Sequence, residues 1–427
     1  MPLASHFLGY DELNRFFNEL LSNSGTVHDK DIFMIINKTC TPESLFSSDR
    51  FFVTYRLFGS EQEARAKAED ICLEQTVEFP GDLVPEGIIR DHVFGRIESL
   101  QPWDNESFKA VISYAVEIAA GELTQFLNVV FGNSSIKPGI RVEQLDLPGS
   151  FLRCFKGPRF GREGIRRLVK VPKRPLLSTA LKPMGLSSKE LADLAYQFAL
   201  GGIDIIKDDH GLSNQCYSPF EERVSLCTEA VRRGNKESGQ RSIYVANITA
   251  PHTEVMKRAR IAKDAGAGGL MVAPGIIGLD LMRDLADDDS IALPILTHPA
   301  LQGSFVTSQN GISHGVIFGQ LARLAGADAT IFPNFGGRFS FSREECEEIV
   351  KGTVVPMGLL KTIFPAPGGG MSLDKVPDML ETYGKDLIFL VGGGLFRHSP
   401  DLVENCRHFR RMVEQIEGHG PEKEAAI

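Results

Sequence analysis

One periodic pattern dominates the chain from residue 174 onward. A short apolar run rich in β-branched residues is followed by a loop with Gly, Pro or polar residues and then by a helical segment, and this cycle occurs eight times. Eight such units fit a (β/α)8 barrel, the TIM barrel. A doubly wound open sheet is the main alternative, but it does not require eight units, and the chain lacks a dinucleotide-binding glycine fingerprint. The predicted strands are 175–183, 202–209, 242–248, 268–274, 292–299, 328–334, 359–367 and 387–393.

The barrel is predicted to occupy residues 151–427, ending in a C-terminal helix and a polar tail. Its clearest helices have apolar residues at helical spacing and Gly at the C-terminal end. They are predicted at 189–202, 220–234, 254–269 and 315–327.

Residues 48–150 follow a different pattern. The predicted elements are a strand at 49–59, a helix at 61–75, strands at 88–100 and 108–118, a helix at 121–130 and a strand near 141–147. This β-α-β-β-α-β order predicts a small antiparallel α+β domain of ferredoxin-like type. The first 47 residues are predicted to add an extension with a helix at 11–21.

The acidic balance of the chain restricts its partners. Lys and Arg number 46 against 55 Asp and Glu, a formal net charge of −9, which argues against nucleic acid or an anionic membrane as the partner. No apolar run approaches the ~20 residues of a membrane span. The first residues mix acids into apolar positions, unlike a signal peptide. We therefore expect a cytoplasmic protein with no nucleic-acid or membrane partner.

The predicted barrel strands end in unusually polar residues, at the edge where barrel enzymes hold their active sites. The first strand ends in Lys182, the second in the run 207–210 (KDDH) and the fifth in His298. Triple glycines at 368–370 and 392–394 follow the seventh and eighth strands. Backbone N–H groups in such turns can converge on a phosphate. Glycine also serves tight turns in general, but two such turns on adjacent strands indicate phosphate more strongly than one.

The KDDH run offers ligands to a divalent cation. Strand alternation places Lys207 and Asp209 on one face and Asp208 on the other. Carboxylate oxygen suits Mg²⁺, which could stabilise an enediolate formed by removing a proton next to a carbonyl. A salt-bridge network without a metal is the alternative interpretation, and His298 taken singly can equally be structural.

Several motifs in combination resemble the large chain of ribulose-bisphosphate carboxylase (RuBisCO). The similarity extends from about residue 49 to the C-terminal helix. The motifs are LKPMGLS (181–187), GGIDIIKDDH (201–210), NGISH (310–314), APGGG (366–370) and FLVGGGLFRH (389–398), behind an α+β domain with LNVVFGN (127–133).

The resemblance implies a role for each matching residue. Lys207 would be carbamylated by CO₂ and would hold Mg²⁺ together with Asp209 and His210. Lys182 would be a general acid/base near the enolised carbons, and His298 would be the histidine of the fifth strand. The residues expected to contact phosphate or substrate in the same chain are Gly368, Gly369, Gly392, Gly393 and Arg338.

The resemblance also implies a homodimer, because active sites in this family form between two subunits. Glu74 and an asparagine of LNVVFGN, Asn128 or Asn133, are the residues expected to contribute from the partner's N-terminal domain. Val129 stands at the position where that asparagine is expected.

The chain departs from the carboxylases at their carbon-fixing positions. His210 replaces a glutamate ligand, so the site should hold Mg²⁺ less tightly or accept a more nitrogen-preferring divalent ion. Arg338 is the cation of the loop that carries a CO₂-orienting lysine in carboxylases, and it is not a simple substitute. Pro299 and Pro367 replace an arginine and a serine that grip the second phosphate of a bisphosphate.

We therefore expect a RuBisCO-like protein of the form IV branch that does not fix carbon. The expected activity is metal-dependent enolisation, as an isomerase or tautomerase, of a phosphorylated ketose such as a methylthio-pentulose phosphate. Lys182 or carbamylated Lys207 would take the proton, and the metal and His298 would stabilise the enediolate. A decarboxylase of a phosphorylated 3-oxo sugar acid is the main alternative, and a catalytically decayed structural or regulatory dimer is the third.

Overall fold

The computed structural model describes residues 45–339 and 341–417. The helix predicted at 11–21 and the polar tail from residue 418 lie outside the described residues. The strands are β1 Arg50–Phe58, β2 Arg96–Pro102, β3 Ser107–Ala115, β4 Ile140–Asp146, β5 Leu176–Leu181, β6 Ile205–Asp208, β7 Ile243–Asn247, β8 Gly269–Val272, β9 Ile295–Thr297, β10 Gly311–Ile312, β11 Ala329–Pro333, β12 Phe364–Gly368 and β13 Ile388–Leu390.

Helices alternate with the strands along most of the chain. The α-helices are α1 Glu61–Glu74, α2 Leu123–Phe131, α3 Gly149–Leu152, α4 Gly161–Val169, α5 Ser188–Leu200, α6 Phe220–Ser238, α7 His252–Asp264, α8 Pro274–Ile277, α9 Leu279–Asp287, α10 Leu321–Leu324, α11 Arg343–Val354, α12 Val376–Tyr383 and α13 Leu402–Glu417. Within the described residues, no helix combines the length and the apolar character needed to cross a bilayer.

The larger sheet is an eight-stranded parallel barrel, as predicted. Its hydrogen-bonded order is β12-β11-β9-β8-β7-β6-β5-β13, and β12 and β13 lie side by side where the sheet curves back on itself. Every residue of β5 is buried, as expected for a parallel strand covered on both faces. Each strand contributes at least one apolar residue to a single inner cluster: Leu176, Ile205, Val245, Met271, Leu296, Ala329, Ile331, Phe364, Ala366 and Ile388. Ile165 and Val169 of α4 are part of the same cluster.

The smaller sheet has the ferredoxin-like order that its element sequence predicts. Strands β1 to β4 are antiparallel in the order β4-β1-β3-β2. Alternate residues of β1 are buried, and α1 packs on the sheet. The short strand β10, which follows the fifth barrel strand, pairs in parallel with β4 and so connects the two sheets. The domain boundaries at 47/48 and 150/151 stay predictions.

Two predicted strands, those at 88–100 and 359–367, begin at least five residues later than expected, because the segments before β2 and β12 are not extended strands. Residues 359–363 are not a strand: Leu359 is 96% exposed, and Arg323 Nη2 donates to the Leu360 carbonyl at 2.9 Å. Residues Ile89–Val93 form a π-helical turn, and Arg90 Nη2 donates to the Val84 carbonyl at 3.0 Å.

The helix predicted at 315–327 is also irregular. It starts with a π-helical turn at Val316–Gln320 and continues as α10. A Cβ atom added to Gly319 would lie 2.6 Å from Gly352 Cα, so this segment approaches α11 backbone to backbone.

Candidate active site

A cavity of about 1230 Å³ opens at the C-terminal ends of the barrel strands. Residues at the ends of the strands and in the loops after them line the cavity. The structure brings most of the predicted site residues together here: Lys182, Lys207, Asp209, His210, His298, Arg338, Gly368, Gly369, Gly392 and Gly393.

Lys207 faces the barrel interior because of strand alternation. Ile205 belongs to the inner apolar cluster, so Lys207, two residues further along β6, points the same way. Lys207 is 2% exposed, and its Nζ donates to the Asp208 carbonyl at 3.0 Å. Burial lowers the pKa of Lys207 from 10.5 to about 8, although Asp209 opposes the shift. A sizeable fraction of this amine is therefore uncharged near pH 8.

Asp208 lies on the opposite face of β6 and fixes the end of the strand. It is fully buried, and its Oδ2 accepts from Arg223 Nε at 3.2 Å and from the backbone N–H of Asn247 at 3.1 Å. Its Oδ1 accepts from the Tyr244 hydroxyl at 2.7 Å. This network ties β6 to β7 and α6, and thereby orients the residues that enter the cavity.

Lys182 and His210 share one carboxylate oxygen. Lys182 Nζ lies 2.8 Å from Asp209 Oδ1, and His210 Nδ1 lies 3.4 Å from the same atom. Burial by itself would raise the pKa of Asp209, but hydrogen bonds from His210 and Lys182 hold that pKa well below its usual range. Asp209 is therefore ionised throughout the neutral pH range and anchors both neighbours.

His298 lies against His210 at the end of β9. The two imidazole rings are stacked, with centroids 4.3 Å apart and planes inclined by 11°. The backbone N–H of Ala300 donates to His298 Nδ1 at 3.2 Å, which assigns the proton of the neutral ring to Nε2. Burial, followed by the charge of Lys207, lowers the pKa of His298 to about 2. His298 is thus a neutral imidazole whose Nε2–H can donate a hydrogen bond.

The glycine turn after β12 touches the loop after β11. Gly369 and Gly370 both have φ of +87°, a conformation that favours glycine. The backbone N–H of Arg338 donates to the Gly369 carbonyl at 2.9 Å, and the Arg338 guanidinium lies over the Phe339 ring, 5.6 Å from its centroid. Arg338 forms no ion pair with any residue that the structure describes.

The glycine turn after β13 lies beside Lys182. A Cβ atom added to Gly392 would be 3.7 Å from Lys182 Cε, whereas one added to Gly393 would meet nothing within 4 Å. A Cβ at Gly394 would lie 2.5 Å from the Met371 carbonyl oxygen, so no side chain fits there. The turn therefore faces open space at Gly393 and lies next to the aliphatic part of the Lys182 side chain.

Residues 163–426 match the family model for the catalytic domain of the ribulose bisphosphate carboxylase large chain. The chain belongs to the RuBisCO family. It is similar to a 5-methylthioribulose-1-phosphate isomerase from Rhodospirillum rubrum, 35% identical over 374 residues, which is 87% of this chain and 98% of the relative. It is also similar to a 2,3-diketo-5-methylthiopentyl-1-phosphate enolase from Bacillus pumilus, 31% identical over 376 residues, covering 85% and 92% of the two chains.

A solved structure agrees with these relatives. The crystal structure of a Rubisco-like protein from Rhodopseudomonas palustris superposes with a TM-score of 0.79 at 35% identity, covering 86% of this chain and 99% of that one. These similarities confirm the RuBisCO-like, form IV branch that the motifs predicted.

Two predicted site residues of this RuBisCO-like chain do not line the cavity. Glu74 accepts hydrogen bonds within its own domain, from Asn133 Nδ2 at 2.9 Å and Lys137 Nζ at 3.0 Å. Asn128 is exposed on α2, while the neighbouring Val129 is buried in the core. Both predicted residues lie on the N-terminal domain, away from the barrel site of the same chain.

The cavity also includes residues that the sequence did not single out. An arginine from the loop after β13, Arg397, is among them, and four more form an apolar wall: Leu301, Phe318, Phe332 and Phe341. These residues come from a strand, from helical turns and from loops that are separate in the sequence, so no periodicity within one segment identifies them. The only feature of the sequence that pointed to Arg397 is its place shortly after the glycines 392–394.

The side chains at the cavity can hold a divalent cation if Lys207 carries a carbamate. In the described part of the chain, no three His, Cys, Asp or Glu side chains form a group that could hold a metal ion. Asp209 and His210 supply two ligands at the cavity, and a carbamate on the adjacent Lys207 would supply a third, an oxygen that suits Mg²⁺. The site therefore fits the family cofactor only if Lys207 is modified.

Proposed function

We propose that this RuBisCO-like chain is an enzyme that enolises a phosphorylated ketose, such as a methylthio-pentulose phosphate, as an isomerase or tautomerase, and that it does not fix carbon. The observation that carries the proposal is the position of Lys182, whose amine lies 2.8 Å from Asp209 Oδ1 and whose side chain passes beside the Gly392 turn. A phosphate held at that turn brings the adjacent carbon atoms within reach of the amine. The isomerase and enolase names of the two relatives support this chemistry.

Lys182 is our assignment for the proton transfer. Its side chain is 36% exposed, so the amine can exchange protons with water through the mouth of the cavity. Asp209 holds the Lys182 ammonium in place. When the ammonium releases a proton, the resulting amine can take a proton from the carbon next to the substrate carbonyl. The same group can return a proton to another carbon, which completes an isomerisation.

His298 is our assignment for the substrate oxygen. Its neutral ring can donate the Nε2–H to the carbonyl oxygen as negative charge develops there. The ring is fixed by the Ala300 N–H on one nitrogen and by stacking on His210, so the donor is oriented before the substrate arrives.

We further propose that Asp209, His210 and a carbamate formed from Lys207 and CO₂ hold Mg²⁺ or another divalent cation. When bound, such an ion supplies Lewis-acid stabilisation of the enediolate oxygens. The pKa of about 8 for Lys207 supports the modification, because only the uncharged amine reacts with CO₂.

We propose a homodimer with shared active sites. Glu74 and Asn128 are on the surface of the N-terminal domain and outside the cavity of their own chain. In the proposed dimer, they complete the barrel site of the partner.

Solvent deuterium exchange tests the proposed activity. The protein is incubated in D₂O with Mg²⁺, bicarbonate and 5-methylthioribulose 1-phosphate, and the loss of the substrate C–H signals is followed by proton NMR. We expect exchange in the wild type, none in Lys182→Ala or Lys207→Ala, and wild-type exchange in the control Lys189→Ala, an exposed lysine at the start of α5. Full exchange in Lys207→Ala contradicts the proposal.

A decarboxylase of a phosphorylated 3-oxo sugar acid is the second candidate. The guanidinium of Arg338 forms no ion pair within the described residues and lines the cavity, so it can accept a substrate carboxylate as well as a phosphate. Release of CO₂ from such acids, without C–H exchange in ketose phosphates, selects this alternative. Absence of both reactions, together with no binding of divalent cation or sugar phosphate by calorimetry, selects a decayed structural dimer.

A further inference from the structure

Arg397 occupies the cavity beside the glycine turn of the eighth barrel strand. It is the last residue of the 3₁₀ turn Gly393–Arg397, which begins directly at those glycines. Arg397 lines the same cavity as Lys182 and Gly392. The Lys182 amine, the glycine turn and Arg397 therefore belong to one cavity, and Arg397 follows the glycines within a single 3₁₀ turn.

The backbone on both sides of Arg397 is firmly held. Leu395 is fully buried, and its carbonyl accepts from Asn405 Nδ2 at 2.8 Å. The same amide donates to the Ser399 carbonyl at 2.8 Å. Because Asn405 belongs to α13 and is itself fully buried, the turn is fixed to the C-terminal helix, and this contact holds Arg397 at the cavity.

Arg397 also differs from its neighbours in having no carboxylate partner. Arg407 and Arg411 on α13 both pair with Glu404, whereas Arg397 is exposed and makes no ion pair or side-chain hydrogen bond with any residue that the structure describes. The chain has a net charge of −9, with more carboxylates than basic side chains, yet the Arg397 cation at the cavity is not neutralised by any of those that the structure describes. It is suited to receive an anion that arrives from solvent.

We infer that Arg397 binds the substrate phosphate, which lies between its guanidinium and the backbone of Gly392 and Gly393. Two parallel N–H donors of a guanidinium match two phosphate oxygens. The inference rests on the proposed function, in that it takes the anion to be the phosphate of the enolised sugar. Arg397 touches the phosphate and not the reacting carbons, so it governs substrate affinity and not proton transfer.

Inorganic phosphate is the probe for a first test. Its dissociation constant is measured by isothermal titration calorimetry with the wild type, Arg397→Gln, Arg397→Lys and the control Arg407→Gln, an exposed arginine outside the cavity. We expect binding to weaken about 10-fold or more in Arg397→Gln, since hydrogen bonds to a charged group are lost. Arg397→Lys keeps the charge but loses the paired donors, so it should fall between the two, and Arg407→Gln should equal the wild type.

Kinetics provide the second test. We expect Arg397→Gln to raise KM for the ketose phosphate about 10-fold while kcat for C–H exchange stays within about twofold of wild type. Unchanged phosphate affinity in Arg397→Gln overturns the inference, and so does a wild type that binds no phosphate at millimolar concentration. A wild type that binds phosphate through Arg397 but exchanges no C–H proton leaves this inference standing and removes the proposed function instead.

Discussion

His210 and His298 lie face to face in the cavity, with ring centroids 4.3 Å apart and planes inclined by 11°. Burial of the His298 ring, followed by the charge of Lys207 and the neighbouring His210 ring, lowers the pKa of His298 to about 2. Its protonation is therefore incompatible with the folded site at any pH near neutrality.

This pair predicts an acid-dependent loss of stability. Between pH 2 and 6.5 the unfolded state binds a proton at His298 and the folded state does not, so the free energy of unfolding falls as pH drops below about 6.5. We expect His298→Gln, which cannot titrate, to show a smaller fall between pH 7 and pH 5 in urea denaturation. His252→Gln, at an exposed position on α7, is the control, and identical slopes for wild type and His298→Gln would disprove the prediction.

Lys207 predicts a conflict between stability and activity. Lowering its pKa from 10.5 to about 8 corresponds to about 3 kcal/mol against the charged form in the folded state. This penalty applies below pH 8 and disappears as pH rises toward 10.5, where the unfolded state also loses the proton. We expect Lys207→Met to raise the free energy of unfolding at pH 7 by about 1 to 3 kcal/mol, measured in urea without bicarbonate, while C–H exchange is lost. A less stable Lys207→Met protein, with Lys189→Met unchanged, contradicts this.

The sequence located the barrel strands well because buried parallel strands are apolar throughout. It also placed Lys207 on β6 and the next residue but one, Asp209, on the same face, because side chains alternate along an extended chain. It failed where a distant side chain decides the backbone conformation, as at Leu360, whose carbonyl is bound by Arg323. Such a bond between two segments leaves no periodic signal in either of them.

The sequence identified some residues of the candidate site and missed others. Residues within a motif were identified by position, whereas Arg397 depends on a 3₁₀ turn held by Asn405. The stacking of His210 on His298 joins two strands far apart in the sequence, so it could be seen only in three dimensions. Glu74 and Asn128 depend on a second chain, which the fold of one chain does not test.

His210 predicts an unusual metal preference. An imidazole in place of a carboxylate weakens the affinity for Mg²⁺ relative to ions such as Mn²⁺ and Co²⁺, which bind nitrogen more readily. We expect His210→Glu, measured by calorimetry in the presence of bicarbonate, to bind Mg²⁺ more tightly than the wild type and to lose most of the preference for Co²⁺. The matched control is His398→Glu, at an exposed position outside the cavity. An unchanged ratio of Co²⁺ to Mg²⁺ affinity in His210→Glu excludes His210 as a metal ligand.

Glu74 predicts that two inactive variants restore activity when mixed. Lys182→Ala inactivates the barrel side of a site, and in the proposed dimer Glu74→Gln weakens the side supplied by the partner's N-terminal domain. A hybrid of the two variants contains one site with both changes and one with neither. After joint refolding, random pairing should return about a quarter of the wild-type exchange rate. Glu69→Gln, at an exposed glutamate of the same helix α1, should be active without mixing. If Glu74→Gln alone is inactive and the mixture with Lys182→Ala stays inactive, Glu74 acts within its own chain and not across a subunit interface.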